Sequence, residues 1–282
     1  MSDAPPMPRI DRLISRNLGL SRRQATRLFR NGRICGVDGL PLRNPAEQIT
    51  PSELPRVVLI DGQSHRLYSR YHLLQHKPVG VITALRDSRH PTVREFIDDA
   101  PLVDDLRPVG RLDRDVSGLL LWTTEGSLLH RLTHPRYGVP RVYQAALSGP
   151  YSPLPSDRPL LLEDGYAPAI HSLTELREDD LHPGLHVPNQ SQKLATITVA
   201  SGQFHEVKRI FEALGSAVLG LCRVAYGPVR LPFDLPAGES RAIDLLEIFA
   251  DLHPATKTKT KTKTKTKKNT GGPVLARPRA SE

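Results

Sequence analysis

From Leu73 onward, short β-type stretches and short helical patterns follow one another without a regular βαβ order, and this constrains the fold more than any other feature. The β-type stretches are Leu73–Ile82, read as two segments broken by Lys77-Pro78, and then Gly118–Thr123, Val142–Leu147, Leu194–Val199 and Ala217–Val224. Helical patterns fall at Thr92–Asp98, Leu128–Thr133 and Phe204–Leu214. Such a mixture predicts an α+β domain with a largely antiparallel sheet. Aliphatic runs such as Gly118–Trp122 are far shorter than the roughly 20 residues of a membrane helix. The start, Met1-Ser-Asp-Ala-Pro-Pro, lacks a positive region followed by an apolar one, so no secretory signal is expected. Cys35 and Cys222 are too few for a disulfide framework or a cysteine-rich zinc site. A soluble cytoplasmic protein with no membrane partner is expected.

Charge divides the chain further. Residues 1–43 hold nine arginines against three acids, and residues 251–282 hold nine basic residues against two acidic ones. The middle, 44–250, carries 21 basic and 25 acidic residues, an ordinary acidic globular balance. Two basic ends around an acidic middle point to polyanion contacts. The last segment repeats Thr-Lys six times from Thr256, with nothing apolar on either face, so a disordered cationic tail is expected over 254–282. It would add salt-sensitive affinity for nucleic acid or serve only as a solubilising appendage. The expected organisation is a flexible start at 1–8, a basic module at 9–66, a larger domain at 67–253, and the tail.

In the basic module Ile10, Leu13, Ile14 and Leu18 recur at helical spacing and Gly19 follows as a stop. Ser21-Arg-Arg-Gln24 is a capping-box pattern that starts a second helix. There Ala25, Leu28 and Phe29 form the apolar stripe, while Arg22, Arg23, Arg27 and Arg30 project elsewhere. A short strand and the Asp38-Gly39 turn come next. A helix-turn-helix DNA reader shares the two short helices, but its recognition helix needs side chains that reach base edges. Arginines suit phosphate and shape reading instead. The pattern RIDRLISRNLGLSRRQATRLFRNGRICGVDG resembles the S4-type RNA-binding domain.

No GxGxxG, GxxxxGK[ST] or HExxH pattern occurs, so neither a nucleotide cofactor nor a zinc-protease centre is expected. His182 and His186 are four apart, but Pro183 and Gly184 between them argue against one helix presenting both, and no metal site is expected. The chemistry concentrates in Val109–Gly126, where a Gly-Arg-Leu-Asp loop feeds an aliphatic strand and sets a guanidinium and a carboxylate at its entrance. Alone, that fragment reads equally as a salt-bridged loop before a core strand.

Four segments together resemble the pseudouridine synthases that modify small-subunit ribosomal RNA and their large-subunit relatives. They are LLQHKPVGVIT at 73–83 with HPTV at 90–93, GRLDRDVSGLLLWTTEG at 110–126, HPRYGVPRVYQAAL at 134–147, and SGQFHEVKRIFEALGSAVLGLCRVAYGPVRL at 201–231. With the S4-like start the resemblance spans about 9–250. His76 stands where the family usually has Asn, Arg141 where Lys is commoner, and Thr124-Glu125 where Asn-Asp is usual. The resemblance implies a cofactor-free isomerase acting on a flipped-out uridine. It assigns Asp113 as nucleophile or base, Lys208 as the cation that keeps it ionised, Tyr143 as the ring against the uracil, and Arg111 as the side chain filling the vacated stack. Arg22, Arg23, Arg27 and Arg30 would grip RNA backbone. Leu112, Leu119 and Leu121 read as packing and Trp122 as core. The HPTV and QFHEVKRIF forms place the chain nearest the 16S enzymes, acting as a monomer on ribosomal RNA. A 23S enzyme, a non-catalytic S4-type assembly factor and a DNA-binding regulator are the alternatives, in that order.

Overall fold

A computed structural model describes residues 7–252. The expected basic tail, and all but the last two residues of the expected flexible start, lie outside the described residues. The chain opens with helices α1 (Ile10–Asn17) and α2 (Arg22–Arg30), then strands β1 (Ile34–Cys35), β2 (Arg56–Ile60) and β3 (Gln63–Leu67). Local chemistry accounts for the helices. Ser21 Oγ accepts from the Gln24 backbone N–H while the Gln24 side chain accepts from the Ser21 backbone, so both orphan donors at the start of α2 are satisfied. Gly19 and Gly32 end the two helices in the left-handed region, at φ 61° and 66°. Gln63–Leu67 pairs antiparallel with β2 throughout. Leu67 belongs to the same small core as Ile10, Leu13, Phe29 and Ile34.

The larger unit contains β4 (His72–Lys77), β5 (Arg107–Val109), β6 (Val116–Thr123), α3 (Gly126–Thr133), β7 (Arg141–Leu147), β8 (Ile170–Glu175), β9 (Lys193–Val199), α4 (Glu206–Ala213), β10 (Val218–Tyr226), β11 (Val229–Arg230), β12 (Ser240–Ala242) and α5 (Leu245–Ile248). One sheet runs in the order β12-β4-β6-β10-β7-β9-β8, with β5 paired to β6 and β11 to β10. All its pairings are antiparallel except β6 with β10. Every residue of β6 is buried, in keeping with its apolar run Leu119–Trp122. Leu119 and Leu121 join the core that includes Tyr226, while Leu120 and Trp122 join the one that includes Val81 and Val93. Trp122 Nε1 donates to Gln75 Oε1 at 2.9 Å, so its polar edge is satisfied inside that core. Gly118, at φ 112°, is where β6 meets β10 most closely: a Cβ there would stand 2.4 Å from the Arg223 carbonyl oxygen.

Two expectations change here. Val79–Ile82 is not a strand; it turns at Gly80, φ 86°, and only Ile82 bridges, to Thr92. Its backbone groups bond loops instead, Gly80 N–H donating to Arg114 O and Ile82 N–H to Pro91 O. Thr92–Asp98 forms only a 3-10 turn at Val93–Ile97, capped by the reciprocal Thr92 and Glu95 contacts. The two units meet through polar contacts: Arg16 Nε donates to Asp105 Oδ2 at 2.8 Å, and Asn17 exchanges hydrogen bonds with the Tyr68 backbone.

Candidate active site

The loop between Gly110 and Val116 carries Arg111 and Asp113, and the 77–83 segment clamps it. Thr83 Oγ1 accepts from the Leu112 N–H at 3.0 Å and donates to the Leu112 carbonyl at 2.7 Å. Gly80 N–H reaches Arg114 O at 2.7 Å, and Lys77 Nζ donates to Val116 O at 2.7 Å. These four hydrogen bonds, on Leu112, Arg114 and Val116, hold the loop on the end of a fully buried strand. Leu112 inserts into the core beneath, as its apolar character requires.

Asp113, Arg111, Tyr143 and Lys208 all line one open cavity of about 490 Å³. Tyr143 comes from β7 and Lys208 from α4, so three separate elements converge there. Tyr143 is buried and packs against the core under α4, presenting the rest of itself to the cavity. Arg223 of β10, the register partner of Tyr143, also lines the wall.

The charge arrangement differs from the simple Asp113–Lys208 pair expected from sequence. Lys208 Nζ donates to both carboxylate oxygens of Asp115 at 2.8 Å and stands 3.8 Å from Asp113 Oδ2. Asp115 therefore takes the direct contact. Burial alone would push the Asp115 carboxyl up, but the hydrogen bonds and charge of Lys208 hold it below the usual range. The Asp113 side chain is 36% exposed, so the cavity is open to water rather than emptied of it. His205 Nε2 lies 3.6 Å from Asp113 Oδ2.

Behind the loop sits Lys77, with no exposed surface. Burial lowers its pKa to about 8, against the opposing pull of Asp115 and Asp113. Arg223 is 1% exposed, donates from Nε to Leu119 O at 2.8 Å, and makes no ion pair among the described residues. Its guanidinium lies 5.3 Å from the centre of the Tyr226 ring, and that of Arg141 lies 5.0 Å from it. Arg141 Nη2 donates to Tyr226 Oη, which donates to Leu132 O. Sequence reading had given no role to Lys77, Asp115, Arg223 or Thr83. One signal was available: an arginine inside the apolar run Leu219-Gly-Leu-Cys-Arg-Val-Ala225 has to be satisfied in the interior.

Outside the cavity, Arg22, Arg23, Arg27 and Arg30 are exposed on α2, opposite the buried Ala25 and Phe29, and line a surface hollow with Arg9. None of the four makes an ion pair among the described residues. His182 is buried with its ring nitrogens on the Gly184 and Leu231 backbone, while His186 is exposed. Among the described residues no group of three or more His, Cys, Asp or Glu is placed to hold a metal ion, and no helix is long and apolar enough to cross a membrane.

Comparison with known proteins fits this geometry. Residues 71–213 match the family model of RNA pseudouridylate synthase, a span running from β4 to the end of α4. Ribosomal small subunit pseudouridine synthase A of Escherichia coli K12 is 35% identical over 244 residues, covering 85% of this chain and 98% of that protein. The enzymes of the same name from Yersinia pestis and Haemophilus influenzae are 32% and 30% identical, over 85% of this chain and 96% and 97% of theirs. A crystal structure of a pseudouridylate synthase superposes with a TM-score of 0.51 at 28% identity, over 86% of this chain and 98% of that one. With a carboxylate, a tyrosine and a lysine drawn from three elements of the matched span into one cavity, the chain belongs to the RNA pseudouridylate synthase family.

Proposed function

We propose that this chain isomerises a uridine of small-subunit (16S) ribosomal RNA to pseudouridine. The observation that carries the reading is the convergence of Asp113, Tyr143, Lys208 and Arg111 on one cavity at the end of β6. The names of relatives that match over nearly their full length favour the small subunit over the large one. The retained carboxylate, tyrosine and lysine favour an enzyme over a non-catalytic assembly factor.

In this reading the reaction breaks the N1–C1′ bond, turns the uracil, forms the C5–C1′ bond, and moves a proton from C5 to N1. Asp113 supplies the carboxylate that acts on the nucleoside. Lys208 and the buried Lys77 set a positive field around it, Lys208 shared with Asp115. Tyr143 lies against the extruded base and handles the C5 proton. A uridine in folded RNA is reached only after it leaves its stack, and Arg111, two residues from Asp113, fills the space it vacates.

The first unit, ending at Leu67, serves as an S4-type RNA-binding module. Its exposed arginines on α2 grip backbone phosphate while the second unit, from about residue 68, carries the chemistry. The protein acts as a monomer in this reading. In this reading the protein works in the cytoplasm, where bacterial ribosomal RNA is made. The deciding experiment is pseudouridine mapping across all ribosomal RNA in cells with and without the gene. Loss of one 16S site is expected; loss confined to 23S RNA, or no loss, overturns the reading.

A further inference from the structure

Phe204 is the most exposed large apolar side chain among the described residues, at 75%, and it stands on the rim of the Asp113 cavity. Single exposed apolar residues are ordinary on protein surfaces. This one is held in place. Its ring stacks on the imidazole of His205 with centroids 3.7 Å apart and planes 19° from parallel. His205 in turn adopts φ 51° at the N-cap of α4, one of three non-glycine residues with positive φ among those described. At the base of the same loop Arg141 donates to the Ser201 carbonyl. The loop is thus fixed at both ends, and one face of the phenyl ring is covered by His205 while the other stays free. His205 Nε2 is 3.6 Å from Asp113 Oδ2, so the free aromatic face lies about one further ring beyond the reacting carboxylate.

A flat, rigid, one-sided aromatic surface next to a cavity for an extruded base has the shape and chemistry of a stacking platform. We propose that the Phe204–His205 stack is a second nucleobase subsite, binding through its free phenyl face an unpaired base directly flanking the target uridine. The occupant is a base of the RNA rather than an apolar peptide. The cations Arg111 and Lys208 line the same cavity beside the Asp113 and Glu206 carboxylates, and they supply the positive charge that the phosphates flanking a stacked base need. Any base presents a π-face, so the platform selects for an unstacked neighbour and not for a sequence. It would restrict modification to uridines in loops or locally melted RNA. The inference rests on the RNA-directed function proposed above.

The test is a double-mutant cycle on an RNA stem-loop containing the mapped uridine, with an abasic nucleotide placed at either flank. Affinity is read by fluorescence anisotropy and pseudouridine formation is measured on the same samples. Phe204→Ala should weaken binding roughly 5- to 150-fold, the range of one lost base–aromatic stack, while Phe204→Trp should retain or tighten it. An abasic flank on one side should cost the wild type a similar factor and cost Phe204→Ala almost nothing. Additive effects at both flanks, with conversion intact, would overturn the platform and leave the enzymatic reading standing. Coupled losses of binding without any conversion would support the platform and sink the enzymatic reading. A Phe204→Ala enzyme with unchanged affinity and a slower chemical step would also overturn the platform, by making Phe204 a cover for the uracil itself.

Discussion

Helix α2 and the wall behind Asp113 both carry several positive charges, and they hold them in opposite ways. On α2, Arg22, Arg23, Arg27 and Arg30 stand in water without acidic partners among the described residues, on a helix whose other face is anchored by Ala25 and Phe29. Around Asp113, Lys77 and Arg223 are buried, bonded to main-chain carbonyls, and fixed relative to the carboxylates. Exposed arginines feel screening over a Debye length of about 8 Å at physiological salt, so they act as adjustable phosphate contacts. Buried cations are screened far less, so their field depends only weakly on salt. In the proposed function one region governs how tightly the RNA is held and the other serves the chemistry at Asp113. Substitutions in the two should therefore separate affinity from chemistry.

The largest effect expected is from Asp113→Asn. Single-turnover conversion should fall on the order of 10⁴-fold, because the reacting charge is gone, while RNA affinity stays within about threefold. Substantial residual conversion would end the assignment of Asp113.

Next come the two ends of the Lys208 contact. Lys208→Met removes the cation that holds both Asp115 oxygens at 2.8 Å and stands 3.8 Å from Asp113. The rate should fall roughly 10²- to 10³-fold, while Lys208→Arg should keep much more activity because the charge survives. Asp115→Asn leaves the cation in place beside Asp113 and should cost less than Lys208→Met. Single-turnover rates for all three variants, with melting temperatures alongside, decide the matter. Unchanged rates in a stable Lys208→Met enzyme would make the Lys208–Asp115 contact purely structural.

On the α2 side the effect is smaller and depends on salt. Replacing Arg22, Arg23, Arg27 and Arg30 together by Gln should weaken binding at low salt and reduce the slope of log K against log salt by about 3, if each arginine meets one phosphate. An unchanged slope would place the RNA elsewhere.

The smallest effect lies away from both regions. His72 is buried with Nδ1 2.9 Å from Thr123 Oγ1, and burial lowers its pKa to about 4. The unfolded chain takes up that proton near pH 6.5 and the folded one does not, so stability is lost as pH falls from 6.5 towards 4. At pH 5 the loss is about 2 kcal/mol relative to pH 7. His72→Gln should flatten that part of the pH–stability curve in urea melts. An equal slope in both proteins would show that other groups set it.

Much of this molecule was legible in the sequence wherever a few neighbouring residues decide the outcome. The Ser21/Gln24 cap, the glycine stops at 19 and 32, the amphipathic stripe of α2 and the aliphatic β6 all depend on contacts within three or four residues or on burial of a continuous apolar run. The strand at Ile170–Glu175 escaped notice because it is a partly exposed edge strand with little apolar content, held by its ladder to β9. Val79–Ile82 misled for the opposite reason: its residues suit a strand, but its backbone is needed by the Asp113 loop. The site divides in the same way. Asp113, Tyr143, Lys208 and Arg111 could be named from motif resemblance, because each lies in a short run of residues. That Lys208 bonds Asp115, that Arg223 and Lys77 are buried beside the carboxylates, and that Phe204 stacks on His205 at the rim were decided by tertiary structure. Lys208 and Asp115 are 93 residues apart, and only the parallel pairing of β6 with β10 and the seating of α4 bring them within 2.8 Å. Sequence determined which chemical groups the chain carries; the register of the sheet decided which of them meet, because distance and dielectric between charges exist only after the strands have paired.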